Sequence, residues 1–237
     1  MSQSLSNPVF VALDTTDLSL ARDLAQRLKP HVGGLKLGLE FFSAHGPEGV
    51  KAFNGLGVPV FLDLKFHDIP NTVAGAVRAA ASLGVDILNV HAAGGTAMLK
   101  AAREAAHGVN PATKVIAVTV LTSLTDDDLA KVGQRGPAQD QVLRLATLTR
   151  DCGLAGVVCS AHEIALLRGT LGPDFTLVVP GIRPKGAAVA DQQRVMGPKE
   201  ALDLGASMLV IGRPITGARD PAIAAREIAN SLGVSVG

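Results

Sequence analysis

Residues Val58–Thr72 read VPVFLDLKFHDIPNT, and the two halves of this stretch belong to different kinds of structure. VPVFL is an apolar run long enough for one buried strand. Asp63, Lys65 and Asp68 follow in quick succession, and Pro70 then opens a helical pattern. On a strand, residues i and i+2 share a face, so Asp63 and Lys65 are expected to point the same way, with Asp68 just past the strand end. Two carboxylates around one ammonium at the carboxyl end of a strand suit proton transfer.

Similar strand-like runs recur on both sides: Val9–Asp14, Leu35–Gly38, Val58–Leu64, Asp86–His91, Lys114–Leu121, Gly156–Ser160, Thr176–Pro180 and Met208–Gly212. Most gaps between them carry amphipathic patterns, such as Leu18–Leu28, Thr72–Leu83, Ala97–Ala106, Gln141–Arg150 and Ile223–Leu232. Strand–helix alternation predicts a parallel sheet with helical crossovers. The runs are continuously apolar, as strands covered on both faces are. Eight such units in 237 residues match the size of a single (β/α)8 TIM barrel, the α/β architecture expected here for residues 1–237. A doubly wound open sheet is the alternative, but no run leads into GxGxxG or GxxxxGK[ST]. The long polar gaps, Thr122–Asp140 and Arg183–Pro198, each lie between a strand and a helix, so neither reads as a linker.

Composition excludes several roles. Twenty-two basic and 21 acidic residues leave a formal charge of +1, so no field of one sign advertises nucleic acid or an anionic membrane. There is no Trp or Tyr and there are seven Phe, too few aromatic faces for base stacking along a single strand. No apolar run approaches the length of a membrane span. The start, MSQSLSNPVF, lacks a basic segment followed by an apolar one, so a cytoplasmic protein is expected. Cys152 and Cys159, the only cysteines, sit in apolar surroundings and read as reduced core thiols.

In a barrel of this kind the chemistry gathers at the carboxyl ends of the strands, and a phosphate site often follows strands 7 and 8. The polar residues obey that rule. Asp14 and Lys36 are charges set in apolar strands and therefore need partners. With Asp63 and Lys65 they can form an alternating array that holds Lys65 charged; a structural salt bridge is the alternative. Gly181-Ile182-Arg183 and Gly212-Arg213 each put a glycine beside a guanidinium directly after a strand, which suits a phosphorylated ligand. Arg183–Arg194 reads as a lid whose ends, Arg183 and Gln192, could close on one ligand. Thr122 offers a hydroxyl and an N–H to an amide-like base edge, though a turn or capping role is equally compatible. His91 reads as a hydrogen-bonded barrel histidine before an acid or base, and His67 is left out of the chemistry. Asp63 and Asp68 could hold Mg²⁺, but Lys65 between them disfavours a cation, and no HxH or HExxH pair suggests zinc. Neither a metal nor a cofactor is expected.

The pieces VALD, LKLG, DLKFHDIPNT, NVHAAGG, VTVLTS, PGIRP, DQQR and IGRPIT run from the first strand to the last. Together they resemble the orotidine 5′-phosphate decarboxylases in their short, single-function bacterial form. The DxKxxD core alone is shared with sister barrels acting on sugar phosphates; PGIRP, DQQR and GRPIT with IPNT are more specific. The resemblance implies decarboxylation of a nucleotide without a cofactor, in UMP biosynthesis. It implies Lys65 as proton donor to C6, Asp63 against the departing carboxylate, Lys36 linking Asp63 to the ribose, and Asp14 on a ribose hydroxyl. It further implies Thr122 at the pyrimidine edge, Gln192 between base and phosphate, and Arg213 with the backbone near Gly212 on the phosphate, Arg183 helping to close the lid. Finally, it implies a homodimer in which Asp68 and Thr72 cross into the neighbour's site. A metal-dependent lyase or decarboxylase of a sister barrel is the alternative reading.

Overall fold

The computed structural model describes residues 7–134, 136–184 and 196–234. Eight parallel strands close on themselves in sequence order, from β1 next to β2 round to β8 back against β1. The strands are β1 (Val9–Ala12), β2 (Gly34–Gly38), β3 (Val60–Phe66), β4 (Ile87–His91), β5 (Lys114–Val118), β6 (Gly156–Val158), β7 (Thr176–Pro180) and β8 (Met208–Ile211). Outside them run α1 (Leu18–Leu28), α2 (Leu39–Lys51), α3 (Pro70–Ala81), α4 (Gly95–Val109), α5 (Asp126–Lys131), α6 (Ala138–Asp151), α7 (Ile164–Leu171), α8 (Pro198–Asp203), α9 (Arg213–Thr216) and α10 (Pro221–Ser231). The expected (β/α)8 barrel is therefore the fold.

Alternate residues of each strand face opposite ways, which divides the core in two. Phe10, Ala12, Phe61, Ile87, Ile116, Val178, Met208 and Val210 fill the barrel interior. Their strand neighbours, among them Val11, Leu35, Leu62, Leu88 and Val179, pack outward against the helices. Gly34 is needed inside: a Cβ there would lie 2.3 Å from the Phe10 ring. On α1 the buried residues Ala21, Leu24, Ala25 and Leu28 fall at helical spacing, and the Asp17 carboxylate caps its first turn by accepting from the Leu20 N–H. Each large side chain buried this way is worth about 1.5–3 kcal/mol relative to exposure.

Several boundaries differ from those expected. β1 ends at Ala12, so Asp14 stands two residues beyond the strand, and its side chain is 52% exposed. It is not the buried ion that the apolar run suggested. β5 and β6 also stop short, whereas β3 runs two residues further, to Phe66. The polar gap after β5 contains α5, started by a reciprocal capping box between Thr125 and Asp128. α2, with Gly46 and Pro47 inside it and a break at Gly46, has no clean periodicity to announce it.

Two cavities occupy the two ends of the barrel. The larger, about 720 Å³, lies at the amino ends of the strands, among Pro8, Phe10, Asp86, Lys114, Thr176 and Met208. Its arginine, Arg168, is committed to the fold: the guanidinium donates to the carbonyls of Gly172, Pro173, Phe175 and Gly205 and to Ser207 Oγ. The smaller, about 360 Å³, opens at the carboxyl ends. The convergent charges lie there, and chemistry in this fold belongs to that end despite the difference in volume.

Candidate active site

The carboxyl-end cavity is lined by Asp14 just past β1, by Lys36, Asp63 and Lys65 of β2 and β3, by Thr122 after β5, and by Gly181–Arg183 and Gly212–Pro214 after β7 and β8. In a closed eight-stranded ring β3 faces β7, so the Gly181–Arg183 loop lies across the mouth from Asp63 and Lys65, whereas the Gly212–Arg213 loop follows β8, which pairs with β1, and lies on the Asp14 side. About 360 Å³ is within the ordinary range for a small-molecule site.

The array is continuous. Lys36 Nζ lies 3.0 Å from Asp14 Oδ1 and 3.6 Å from Asp63 Oδ2. Lys65 Nζ donates to the other Asp63 oxygen, Oδ1, at 2.6 Å. Asp63 and Lys36 are buried, and Lys65 is partly exposed to the cavity. Burial by itself would raise the Asp63 carboxyl, but the Lys36 and Lys65 charges, with hydrogen bonds from Lys65 and Asn89, hold it below its ordinary range. A buried carboxylate between two ammoniums, in contact with both, is a charge that stays where it is put. Gly38 makes room for this arrangement, since a Cβ there would sit 2.8 Å from Lys36 Nζ and 3.3 Å from Asp14 Oδ1.

Lys65 does not reach its position by regular alternation. β3 and β4 pair at Leu62–Leu88 and next at Phe66–Val90, with a shift of register between. Within the bulge Lys65 has φ 51°, the single non-glycine residue with positive φ among those described. Left-handed backbone at a residue with a Cβ costs about 1–2 kcal/mol, so something must hold it. Asn89, wholly buried on β4, accepts from the Lys65 N–H at 2.8 Å and donates to Asp63 Oδ1 at 2.6 Å. Asn89 falls inside the expected strand Asp86–His91, and no role was expected of it. A buried amide in an apolar strand one pairing position from a DxK motif was the available signal.

The remaining expected residues divide. Arg213 and Gly212 open α9, and the Arg183 N–H donates to the Met196 carbonyl at 3.2 Å. Thr122 is exposed at the rim. Gln192 and most of the expected lid lie outside the described residues. Asp68 and Thr72 are exposed and do not line this chain's own cavity; the Asp68 carboxylate accepts from the Ile69 N–H at 2.6 Å. His91, half-buried, faces the ring of exposed His67 at 5.3 Å between centroids rather than making a barrel hydrogen bond among the described residues. Burial depresses the His91 imidazole, helped by the His67 and Lys65 charges and opposed by Asp63. Among the described residues no three His, Cys, Asp or Glu side chains converge as a metal site, and no helix is long and apolar enough to cross a membrane. Both cysteines are buried free thiols, and burial drives that of Cys159 far upward.

Comparison with known proteins adds ancestry to this geometry. Residues 7–228 match the profile of the orotidine 5′-phosphate decarboxylase / HUMPS family. The chain belongs to this family. An orotidine 5′-phosphate decarboxylase of Rhodospirillum rubrum is 59% identical over 98% of this chain and 96% of its own length. That of Moorella thermoacetica is 56% identical over 94% and 91%. Among solved structures, the orotidine 5′-phosphate decarboxylase of Lactobacillus acidophilus superposes with a TM-score of 0.85 at 39% identity, covering 95% of this chain and 99% of its own. The family match spans every strand and each expected site residue from Asp14 to Arg213, so membership bears on the whole barrel mouth.

Proposed function

We propose that the chain decarboxylates orotidine 5′-phosphate to uridine 5′-phosphate and carbon dioxide, a step of UMP biosynthesis. One observation carries this reading beyond family membership. The Lys65 ammonium is held at 2.6 Å by a buried carboxylate in the wall of a cavity that two glycine–arginine loops also line.

The chemistry follows from what such a site can supply. When the bond from C6 to the carboxylate breaks, its electron pair stays on C6, in the plane of the pyrimidine, where no adjacent π-system can take it up. Carbon dioxide leaves, and a proton passes from Lys65 Nζ to C6; the resulting amine regains its proton from solvent. Stabilisation of the developing carbanion is therefore electrostatic, from an ammonium fixed before the reaction begins. Asp63 holds that ammonium against the departing carboxylate, and Lys36 ties Asp63 to Asp14 and the ribose hydroxyls. Arg213 and the backbone at Gly212 take the phosphate, Arg183 and Gln192 close over it, and Thr122 reads the pyrimidine edge. Phosphate binding remote from C6 can then drive closure and be used at the reacting centre.

Residues 1–237 act as one catalytic domain in the cytoplasm, in a homodimer. Asp68 and Thr72, exposed on the mouth side and absent from their own cavity wall, complete the site of the second subunit.

The test is the ultraviolet absorbance of orotidine 5′-phosphate during incubation with the purified protein, with and without a chelator. Conversion to uridine 5′-phosphate undiminished by the chelator is expected. Conversion abolished by the chelator and restored by a divalent ion would point instead to metal-dependent chemistry of the sister barrels.

A further inference from the structure

Asp63, Leu64 and Lys65 of β3 stand opposite a single residue of β4, Asn89, because the register slips between Leu62–Leu88 and Phe66–Val90. In a regular ladder the Lys65 N–H would find a backbone carbonyl. Here it turns into the left-handed region and is received by the Asn89 side chain. The far end of the same amide donates to Asp63 Oδ1, the oxygen that also accepts Lys65 Nζ. Asn89 is fully buried and forms no part of the cavity wall, so nothing bound there would touch it.

We propose that Asn89 is a positioning residue for the reaction: its amide clips the bulge so that the Lys65 ammonium meets Asp63 at one fixed point of the cavity wall. The inference rests on the reading of Lys65 as proton donor. An uncharged amide is the side chain of this size with an acceptor at one end and a donor at the other. Leucine has the shape without either group. Aspartate keeps the acceptor and loses the donor, whereas protonated aspartic acid has both.

That last property supplies a test that a packing role would not pass. Asn89→Leu is expected to lower kcat about tenfold to a hundredfold, the penalty for misplacing a reacting group by about an ångström. Its KM and its affinity for uridine 5′-phosphate are expected to move by less than about threefold. Asn89→Asp is expected to add an ionisation to the kcat profile that the parent lacks. Turnover stands near the parent's while a proton is shared between positions 89 and 63, and falls as rising pH removes it. If Asn89→Leu does not fold, Asn89→Asp, equal to the parent in size, decides alone. Parental kcat at all pH values in Asn89→Asp, with Lys65→Ala inactive, overturns the proposal and leaves the Lys65 reading intact. Substantial turnover by Lys65→Ala removes that reading and the proposal with it.

Discussion

Replacing Gly38 by alanine adds one methyl group at the tightest point of the charge array. The backbone there is extended, with φ −100° and ψ −172°, so alanine meets no conformational penalty. The effect is one of space. The new Cβ would lie 2.8 Å from Lys36 Nζ where ordinary contact begins at 3.4 Å, so the ammonium must retreat by about 0.6 Å. Lengthening its 3.0 Å contact with Asp14 by that amount removes about 1 kcal/mol at an effective dielectric constant of about 20. Water around half-exposed Asp14 makes this an upper figure. Against it, alanine stabilises by about 0.4–1 kcal/mol through the unfolded chain, so the thermal midpoint should move by no more than about 2–4 °C. Turnover has no such compensation. A displaced Lys36 shifts the partner of Asp63, and kcat/KM for orotidine 5′-phosphate should fall about fivefold, the equivalent of that 1 kcal/mol. The assay is steady-state absorbance beside a thermal melt. A kcat/KM within about twofold of the parent, with Lys36 unmoved in a crystal structure of the variant, would refute the reasoning.

Other perturbations separate the parts of the site. Arg213→Ala should cost about tenfold to a hundredfold in kcat/KM for the nucleotide, the value of a charge-assisted phosphate contact, and little for orotidine without its phosphate; equal losses for both would detach Arg213 from the phosphate. The Asp63 carboxyl is held below its ordinary value of 3.8, so the stability it contributes is present above that pH and is lost as pH falls through the lower folded value. The acid limb of unfolding should therefore be shallower in Asp63→Asn than in the parent, and parallel limbs in denaturant titrations would contradict the assignment. Mixing inactive Lys65→Ala and Asp68→Ala subunits should restore part of the activity, since a mixed dimer has one site with both groups; subunits that exchange yet stay inactive would place Asp68 in its own barrel.

The barrel was legible because its strands are buried on both faces and therefore read as continuous apolar runs, such as VFVA in β1 and MLVI in β8. The charge array was legible for the complementary reason: Lys36, Asp63 and Lys65 interrupt runs that have no other use for charge. What escaped was whatever depends on two strands at once. Period-two reasoning put Asp63 and Lys65 on one face of a regular strand, but the slip of register belongs to the pairing of β3 with β4 and is invisible in either alone. Asn89 acts through contacts across strands, so a lone polar residue in an apolar run was all that its own strand showed of it. α2 was missed because Gly46 and Pro47 break its period, and α5 because a six-residue helix begun by a capping box looks like a polar loop. Asp14 was misplaced by two residues, since an apolar run does not say where its last hydrogen bond falls.

The central claim is that Lys65 delivers the proton that replaces carbon dioxide at C6. It is tested most directly by incubating orotidine 5′-phosphate in D₂O with the parent and with Lys65→Ala, and following carbon dioxide release and the C6 position of the product by nuclear magnetic resonance. The parent should yield uridine 5′-phosphate carrying one deuteron at C6 for each carbon dioxide released. Lys65→Ala should still bind uridine 5′-phosphate but turn over at least about a thousandfold more slowly, within the range for loss of a positioned proton donor. Substrate left unchanged by the folded parent, or brisk turnover by Lys65→Ala, would contradict the account.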